Sequence, residues 1–434
     1  MNRCEIAPPL GGLRGEVTIP GDKSVSHRAV IFSSLAEGTS SIGNFLCGED
    51  NFRTVAAFRR MGVSIQEKGD NHLVIEGRGL EGLLEPDDVV DCGNSGTTMR
   101  LLTGLLAAQP FFSVLTGDQY LRKRPMKRVV KPLSGMGALI WGRAQGEYPP
   151  LAIHGGRLQP IAYDSPIASA QVKSALLLAG LFCDGVTTVR EPFLSRDHTE
   201  RMLPCFGAEL RTVDKGVAVT GRPRLKACDL TVPGDISSAA FFMVAALIVP
   251  RSELLIRNVG VNPTRDGIIE ALRRMGGDLQ LVDERLAGGE PVADVLVRGS
   301  RLKGIDIGGA LIPRMIDEIP VFSVAAACAE GTTIIRDAQE LRVKETDRIA
   351  AMTAELTRLG ALIEARPDGM VINGRERLTG GKVLSHGDHR IAMSLAVAGL
   401  GAASPVEVED IDCTATSFPG FWVLLGRLAG FQGK

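Results

Sequence analysis

Six times along the chain a short polar lead runs into a helix-length segment that is apolar nearly all round, followed by a small-residue turn and a β-branched run. These stretches are DKSVSHRAVIFSSLAEGTSSIGNF from Asp22, NSGTTMRLLTGLLAAQPFFSVLTG from Asn94, SAQVKSALLLAGLFCDGVTTVREP from Ser169, DISSAAFFMVAALIVPRSELLIRNV from Asp235, IDEIPVFSVAAACAEGTTIIRDA from Ile316 and GDHRIAMSLAVAGLGAASPVEVEDI from Gly387. They recur roughly every 70 residues, a period that marks repeated supersecondary units. A helix without a polar face belongs inside a domain, so the six are predicted to be buried. Between them runs a second refrain: RRMGVSI at Arg59, SGMGALI at Ser134, PCFGAEL at Pro204, RRMGGDL at Arg273 and TRLGALI at Thr357. Each reads as a helix end, a glycine at the C′ position where positive φ is needed, then a strand. Period-2 strands such as HLVIEG, ADVLVRG and GMVING follow. The expected unit is helix, strand, helix, strands, and the expected class is α/β, with mixed sheets around buried helices.

Six units divide into three and three. IPGDKSVSHRA (Ile19 to Ala29) and VPGDISSAA (Val232 to Ala240) share an opening and fall at corresponding places. Pro20-Gly21 and Pro233-Gly234 are therefore expected to be crossings between two domains, 21–234 and 1–20 plus 235–434. Pro fixes φ and Gly relaxes it, which suits a hinge strand. Residues before Pro20 then pair with the second half. Plain interdomain turns are the alternative reading of the same dipeptides.

Composition adds constraints. Hydrophobic residues are 44% and charged residues 23% of 434, enough for large cores in two or three domains. The net charge of −1 supplies no overall field toward nucleic acid or a membrane. The eight cysteines are scattered without a C-x-x-C pair, so reduced thiols are expected. The N-terminus MNRCEIAPPLGG lacks an apolar signal core, and the longest apolar run, Ala239 to Val249, is too short to span a bilayer. These features predict a cytoplasmic protein.

The polar leads carry the candidate chemistry. Helix N-termini present free N–H groups and partial positive charge, and so attract anions. Here they hold Lys23, Ser24 and Arg28; Asn94 to Thr97; Ser169 and Gln171; and His389 with Arg390. LRKRPMKR at Leu121 and LRVKETDR at Leu341 add further charge. If the leads face a cleft between the halves, they suit substrates bearing phosphates and carboxylates. GDKS is not a Walker A loop, because GxxxxGK[ST] is absent. The basic run Arg122 to Arg128 reads as an exposed face or an RNA patch; without interleaved aromatics, no nucleic-acid partner is expected. His386 and His389 raise a metal reading, but the intervening Gly387-Asp388 favours a turn and no third ligand is spaced to join them. In KETDR, Lys344 and Arg348 read as i,i+4 neighbours on one helix face, with Glu345 beside them.

At these residues the sequence resembles the 5-enolpyruvylshikimate-3-phosphate synthase family, over essentially its whole length. PGDKSVSHR, GNSGTTMRLL, RPM at Arg124, RVKETDRI, DHRIAMSL and TATSFPGF carry the resemblance. It implies two similar lobes, each of three β-α-β-α-β-β repeats, joined by a two-strand hinge. It also implies transfer of the enolpyruvyl group of phosphoenolpyruvate to the 5-hydroxyl of shikimate 3-phosphate, with loss of phosphate and without metal or cofactor. Carried over by motif, Lys23 touches both substrates. Ser24, Arg28, Ser169, Ala170, Gln171, Arg196, Asp317 and Lys344 hold shikimate 3-phosphate. Gly96, Arg124, Gln171, Arg348 and Arg390 hold phosphoenolpyruvate. Lys23, Asp317 and Glu345 form the catalytic set, and a monomer whose lobes close on substrate is expected. Thr416 and Glu340 stand where some members have lysine and asparagine, which points to a divergent bacterial branch.

Two rivals remain at this stage. One is the sister enzyme that acts on UDP-N-acetylglucosamine, which has Lys-Asn where this chain has Lys23-Ser24 and usually a loop cysteine; Tyr120 to Arg124 supplies none. The other is a non-catalytic anion binder on the same repeats, against which the retained Asp317 and Glu345 argue.

Overall fold

The structure is a computed structural model and describes residues 2–69 and 71–431. The chain packs into two compact units, one of residues 21–233 with 286–290, the other of 1–20, 234–285 and 291–434. Gly234 and 286–290 thus group differently from the division drawn on the sequence.

In the first unit the apolar helices Lys23–Leu35, Gly96–Leu106 and Ala170–Gly180 lie in one continuous core. In the second, Ile236–Ile248, Ile319–Ala327 and His389–Leu400 do the same. Around them, among the described residues, stand six sheets of mixed sense. In the sheet that follows the Gly96 helix, Val90–Asp91 runs parallel to Phe112–Thr116, which pairs antiparallel with Tyr148–His154, and that strand with Leu139–Gly142. The same order recurs around Val186–Arg190 and around Thr332–Ile335.

The leading strand of each unit's first sheet comes from the segment just before a crossing. Leu230–Thr231 pairs parallel with Glu37–Gly43 in the first unit, and Arg14–Thr18 with Glu253–Gly260 in the second. Arg3–Ile6 adds antiparallel to Val406–Glu409. The two PGD copies make equivalent bonds: the Asp22 amide donates to Pro233 O at 2.7 Å, and the Asp235 amide to Pro20 O at 2.9 Å. Their glycines serve differently from the hinge argument. Neither Gly21 nor Gly234 has positive φ. A Cβ on Gly21 would lie 2.0 Å from Asn44 O, and one on Gly234 2.9 Å from Asn258 O. Glycine is required there because two backbones touch, not because φ must be free.

The refrain glycines do need the left-handed region: Gly62, Gly137, Gly207, Gly276 and Gly360 have φ of 82, 98, 91, 87 and 79°. Each follows a helical segment and admits the turn into a strand without a Cβ clash. No helix among the described residues is long and apolar enough to cross a membrane.

Candidate functional site

The polar leads cap the buried helices. Asp22 accepts from the Val25 amide at 2.9 Å, Ser95 from Thr98 at 3.2 Å, Ser169 from Val172 at 3.5 Å and Asp388 from Arg390 at 2.8 Å. Each cap satisfies an amide that the helix leaves open.

In the first unit, side-chain bonds link three such starts. Lys23 pairs with Asp50, and the Thr98 hydroxyl lies 3.4 Å from Asp50 O. Gln171 donates to Thr97 Oγ1 at 2.9 Å and accepts from Arg100 at 2.5 Å. Arg124 donates to Asn94 at 2.8 Å. A Cβ on Gly96 would lie 3.0 Å from Arg100 Nη1 and 3.3 Å from Arg124 Nη1, so two guanidiniums flank this helix start. Arg28 is only 3% exposed and donates to Thr199 Oγ1 at 2.7 Å, Ser174 Oγ at 2.6 Å and Ser24 O at 3.0 Å. All three acceptors are neutral. Burial pulls the guanidinium down to about 10, with Glu200, Asp22 and Glu290 opposing at longer range. It remains a buried cation at neutral pH with no carboxylate bonded to it among the described residues. Arg196 is half-buried and bears on the same guanidinium by repulsion.

In the second unit, Asp317, Lys344, Glu345 and Arg348 come together, but not as neighbours on a helix. The helix begins at Arg348, capped by Asp347, and Lys344 is extended ahead of it. The i,i+4 reading of Lys344 and Arg348 is thus corrected: Asp317 brings them together, its Oδ1 lying 3.4 Å from Lys344 Nζ and 3.3 Å from Arg348 Nη1. Arg348 also donates to Glu345 at 2.7 Å and to Asp388 at 2.8 Å. Burial alone would lower its pKa, but Asp388, Glu345 and Asp317 together raise it above the usual arginine value. Arg390 sits on the same helix start as Asp388, buried, and its guanidinium has no ion pair or hydrogen bond among the described residues. His386 bonds Glu355 at 2.8 Å, and no three metal-ligating side chains cluster among the described residues.

The second PGD copy differs at its helix start. Ser237 bonds Glu318 and accepts from Arg265 Nη2 at 2.8 Å; Arg265 also lies 3.5 Å from Glu318 and 3.6 Å from Asp235. That start is closed by an internal cation with carboxylates of its own.

Sequence reading missed Asp388, Arg100, Arg265 and Lys173. Asp388 and Arg100 lie inside motifs already singled out. Lys173 carried its own signal, as a lone lysine in the all-apolar VKSALLLAG stretch. Cavities of ≈ 460 Å³ by Arg273 and Arg314 and ≈ 410 Å³ by His72 and Asp229 contain none of the candidate residues.

The arrangement offers buried or capped cations for anionic ligands, and carboxylates held at fixed positions for proton transfer. Residues 9–425 match the model of the family described as EPSP synthase (3-phosphoshikimate 1-carboxyvinyltransferase). The chain is 63% identical to the 3-phosphoshikimate 1-carboxyvinyltransferase of Syntrophotalea carbinolica, with 99% of each chain covered. It is 64% identical to that of Pelobacter propionicus, over 98% of this chain and 99% of the other. The structure is similar to that of EPSP synthase from Acinetobacter baumannii, with a TM-score of 0.90 and 47% identity, covering 100% of this chain and 99% of that one. This chain belongs to the EPSP synthase family, the 3-phosphoshikimate 1-carboxyvinyltransferases.

Proposed function

We propose that the side chains of the two units divide the family's reaction between them. The enzyme transfers the enolpyruvyl group of phosphoenolpyruvate to the 5-hydroxyl of shikimate 3-phosphate and releases phosphate. In this proposal Ser24, Arg28, Ser169, Ala170, Gln171 and Arg196 bind shikimate 3-phosphate, and Asp317 and Lys344 its ring. Lys23 touches both substrates, and Gly96, Arg124, Gln171, Arg348 and Arg390 bind phosphoenolpyruvate. Asp317 takes the proton of the attacking hydroxyl, Glu345 protonates the methylene carbon, and Lys23 assists the departing phosphate. A tetrahedral adduct forms and then collapses: Glu345 takes the proton back from the new methyl group, the C–O bond to phosphate breaks, and the proton taken up by Asp317 leaves with the phosphate by way of Lys23. Positioned acids and bases contribute about 10²- to 10⁴-fold each, and preset cations orient the anions.

The observation that carries this reading is Arg28: a cation buried among neutral oxygens, whose charge calls for an anion from outside the protein. Arg390 repeats the theme at another helix start. These cations meet the charge of both substrates, and the proposed enzyme, a cytoplasmic monomer, needs no metal.

The deciding experiment measures phosphate release with shikimate 3-phosphate or UDP-N-acetylglucosamine as acceptor, before and after exhaustive EDTA treatment. Asp317→Asn and Glu345→Gln should each lower kcat by about 10²-fold or more. Near-normal kcat in both would overturn the assignment.

A further inference from the structure

The first unit holds a buried ion cluster that the proposed roles do not use. Lys173 is only 2% exposed, one turn into the helix that Ser169 caps. Its ammonium lies 3.0 Å from Glu191 Oε2 and 2.8 Å from Glu200 Oε1, and 3.3 Å from Ser195 O. Glu191 in turn accepts from the Ser169 amide at 2.8 Å and from the Ser195 hydroxyl at 2.7 Å. Glu200 adjoins Thr199, whose hydroxyl accepts from Arg28 and lies 2.8 Å from Ser174 Oγ. Three groups assigned to shikimate 3-phosphate, Arg28, Ser169 and Arg196, thus sit on one continuous frame. Its centre is an ammonium shared by two carboxylates.

Burying an ion pair is costly and gives little net stability compared with an apolar replacement. A pair retained here is better explained by what it holds in place. Glu191 has one carboxylate, and it fixes two segments at once: the backbone of the helix cap and the loop that carries Arg196. Lys173 neutralises that carboxylate and ties the same loop through Ser195 O.

We infer that Lys173 and Glu191 are positioning residues for the phosphate of the acceptor, holding the Ser169 amide and the Ser195–Arg196 segment in their binding arrangement. This rests on the assignment of Ser169, Arg28 and Arg196 to shikimate 3-phosphate. The pair touches no reacting atom, so its loss should act on acceptor affinity and leave the chemical step nearly intact.

Calorimetry with shikimate 3-phosphate, together with KM and kcat for both substrates, tests this on the full-length enzyme. Lys173→Met should weaken acceptor binding about ten-fold or more, the worth of a hydrogen bond to a charged group. Ser195→Ala removes only one hydroxyl from Glu191 and should weaken it by about three- to ten-fold while folding normally. In both, kcat at saturation and the KM for phosphoenolpyruvate should stay within about two-fold, as expected when uniform binding is lost. Arg28→Gln and Ser169→Ala serve as controls. If these controls leave acceptor affinity unchanged, the underlying assignment fails. If they weaken it while Ser195→Ala leaves it unchanged, the positioning role alone is overturned. An equal rise of both KM values in Ser195→Ala also overturns it, because a general loosening would then explain the effect.

Discussion

Arg348 Nε donates to Asp388 Oδ2 at 2.8 Å, and both side chains are sealed from solvent, at 1% and 0% exposure. Asp388 does double duty, since its other oxygen caps the helix through the Arg390 amide. One carboxylate therefore sets the direction of one arginine and the backbone of the next. The planar guanidinium reaches Asp317 and Glu345 from its remaining nitrogens, a geometry a single ammonium cannot match. Arg348→Lys is expected to destabilise the second unit by about 2–4 kcal/mol, because it leaves a buried carboxylate poorly paired. It should also cut kcat/KM for phosphoenolpyruvate by about a hundred-fold. Denaturant titration and steady-state kinetics check both; a variant as stable as wild type would refute the argument.

Phe421 sits among Phe241, Phe242, Phe418 and Trp422, with ring centroids 5.8, 6.0, 5.5 and 5.2 Å away, mostly edge to face. It is fully buried. Truncation leaves a cavity the surrounding rings cannot fill, so Phe421→Ala should cost about 3–5 kcal/mol. Phe421→Leu keeps most of the volume and should cost about 1–1.5 kcal/mol. Equal costs would show that the site relaxes and that ring packing contributes little.

Much of this was legible in the sequence because it is periodic. An all-apolar helix can only be buried, and a glycine before a strand only turns one way, so the six helices and five refrain glycines could be read directly. The candidate charged residues stood out by motif, but their wiring did not. KETDR looked helical because Lys344 and Arg348 are four apart, yet Asp347 caps the helix and excludes Lys344 from it. Nothing local revealed that Asp317, 31 residues before Arg348, would bring the two together. Gly21 and Gly234 drew a φ argument because strand contacts cannot be seen from one strand. Buried partners such as Lys173 and Glu191, or Arg265 and Glu318, are far apart in sequence and follow no period.

His27 is fully buried, with Nδ1 2.8 Å from Thr54 Oγ1 and Nε2 without a hydrogen-bond partner among the described residues. Burial holds its pKa well below 6.5, and the neighbouring cations Lys23 and Arg28 push the same way. The folded state then keeps His27 neutral where the unfolded chain binds a proton. Stability through this group is complete above about pH 6.5 and falls as pH drops below it, by at most about 1.4 kcal/mol per pH unit. His27→Gln should remove that slope, shrinking the stability difference between pH 7 and pH 5 by up to about 2 kcal/mol. Parallel stability curves for the variant and wild type over that range would refute it.

The two PGD copies offer the sharpest contrast, because each helix start has one buried arginine in its own unit and the two are matched differently. Arg265 is opposed by Glu318 and Asp235, carboxylates supplied by the fold. Among the described residues Arg28 is bonded only to the Thr199 and Ser174 hydroxyls and the Ser24 carbonyl. Removing the first cation strands buried negative charge; removing the second relieves a buried positive one. Arg265→Met should therefore lower stability by about 3–5 kcal/mol while shikimate 3-phosphate affinity, measured on the folded fraction, changes less than about three-fold. Arg28→Met should cost only about 1–2 kcal/mol in lost hydrogen bonds, yet weaken shikimate 3-phosphate by about a hundred-fold or more. Calorimetry and urea denaturation on both variants separate the two effects. If Arg28→Met is the more destabilising, or if Arg265→Met loses the ligand as severely, then the first copy's charge does not await an external anion. The difference between the copies would then need another cause.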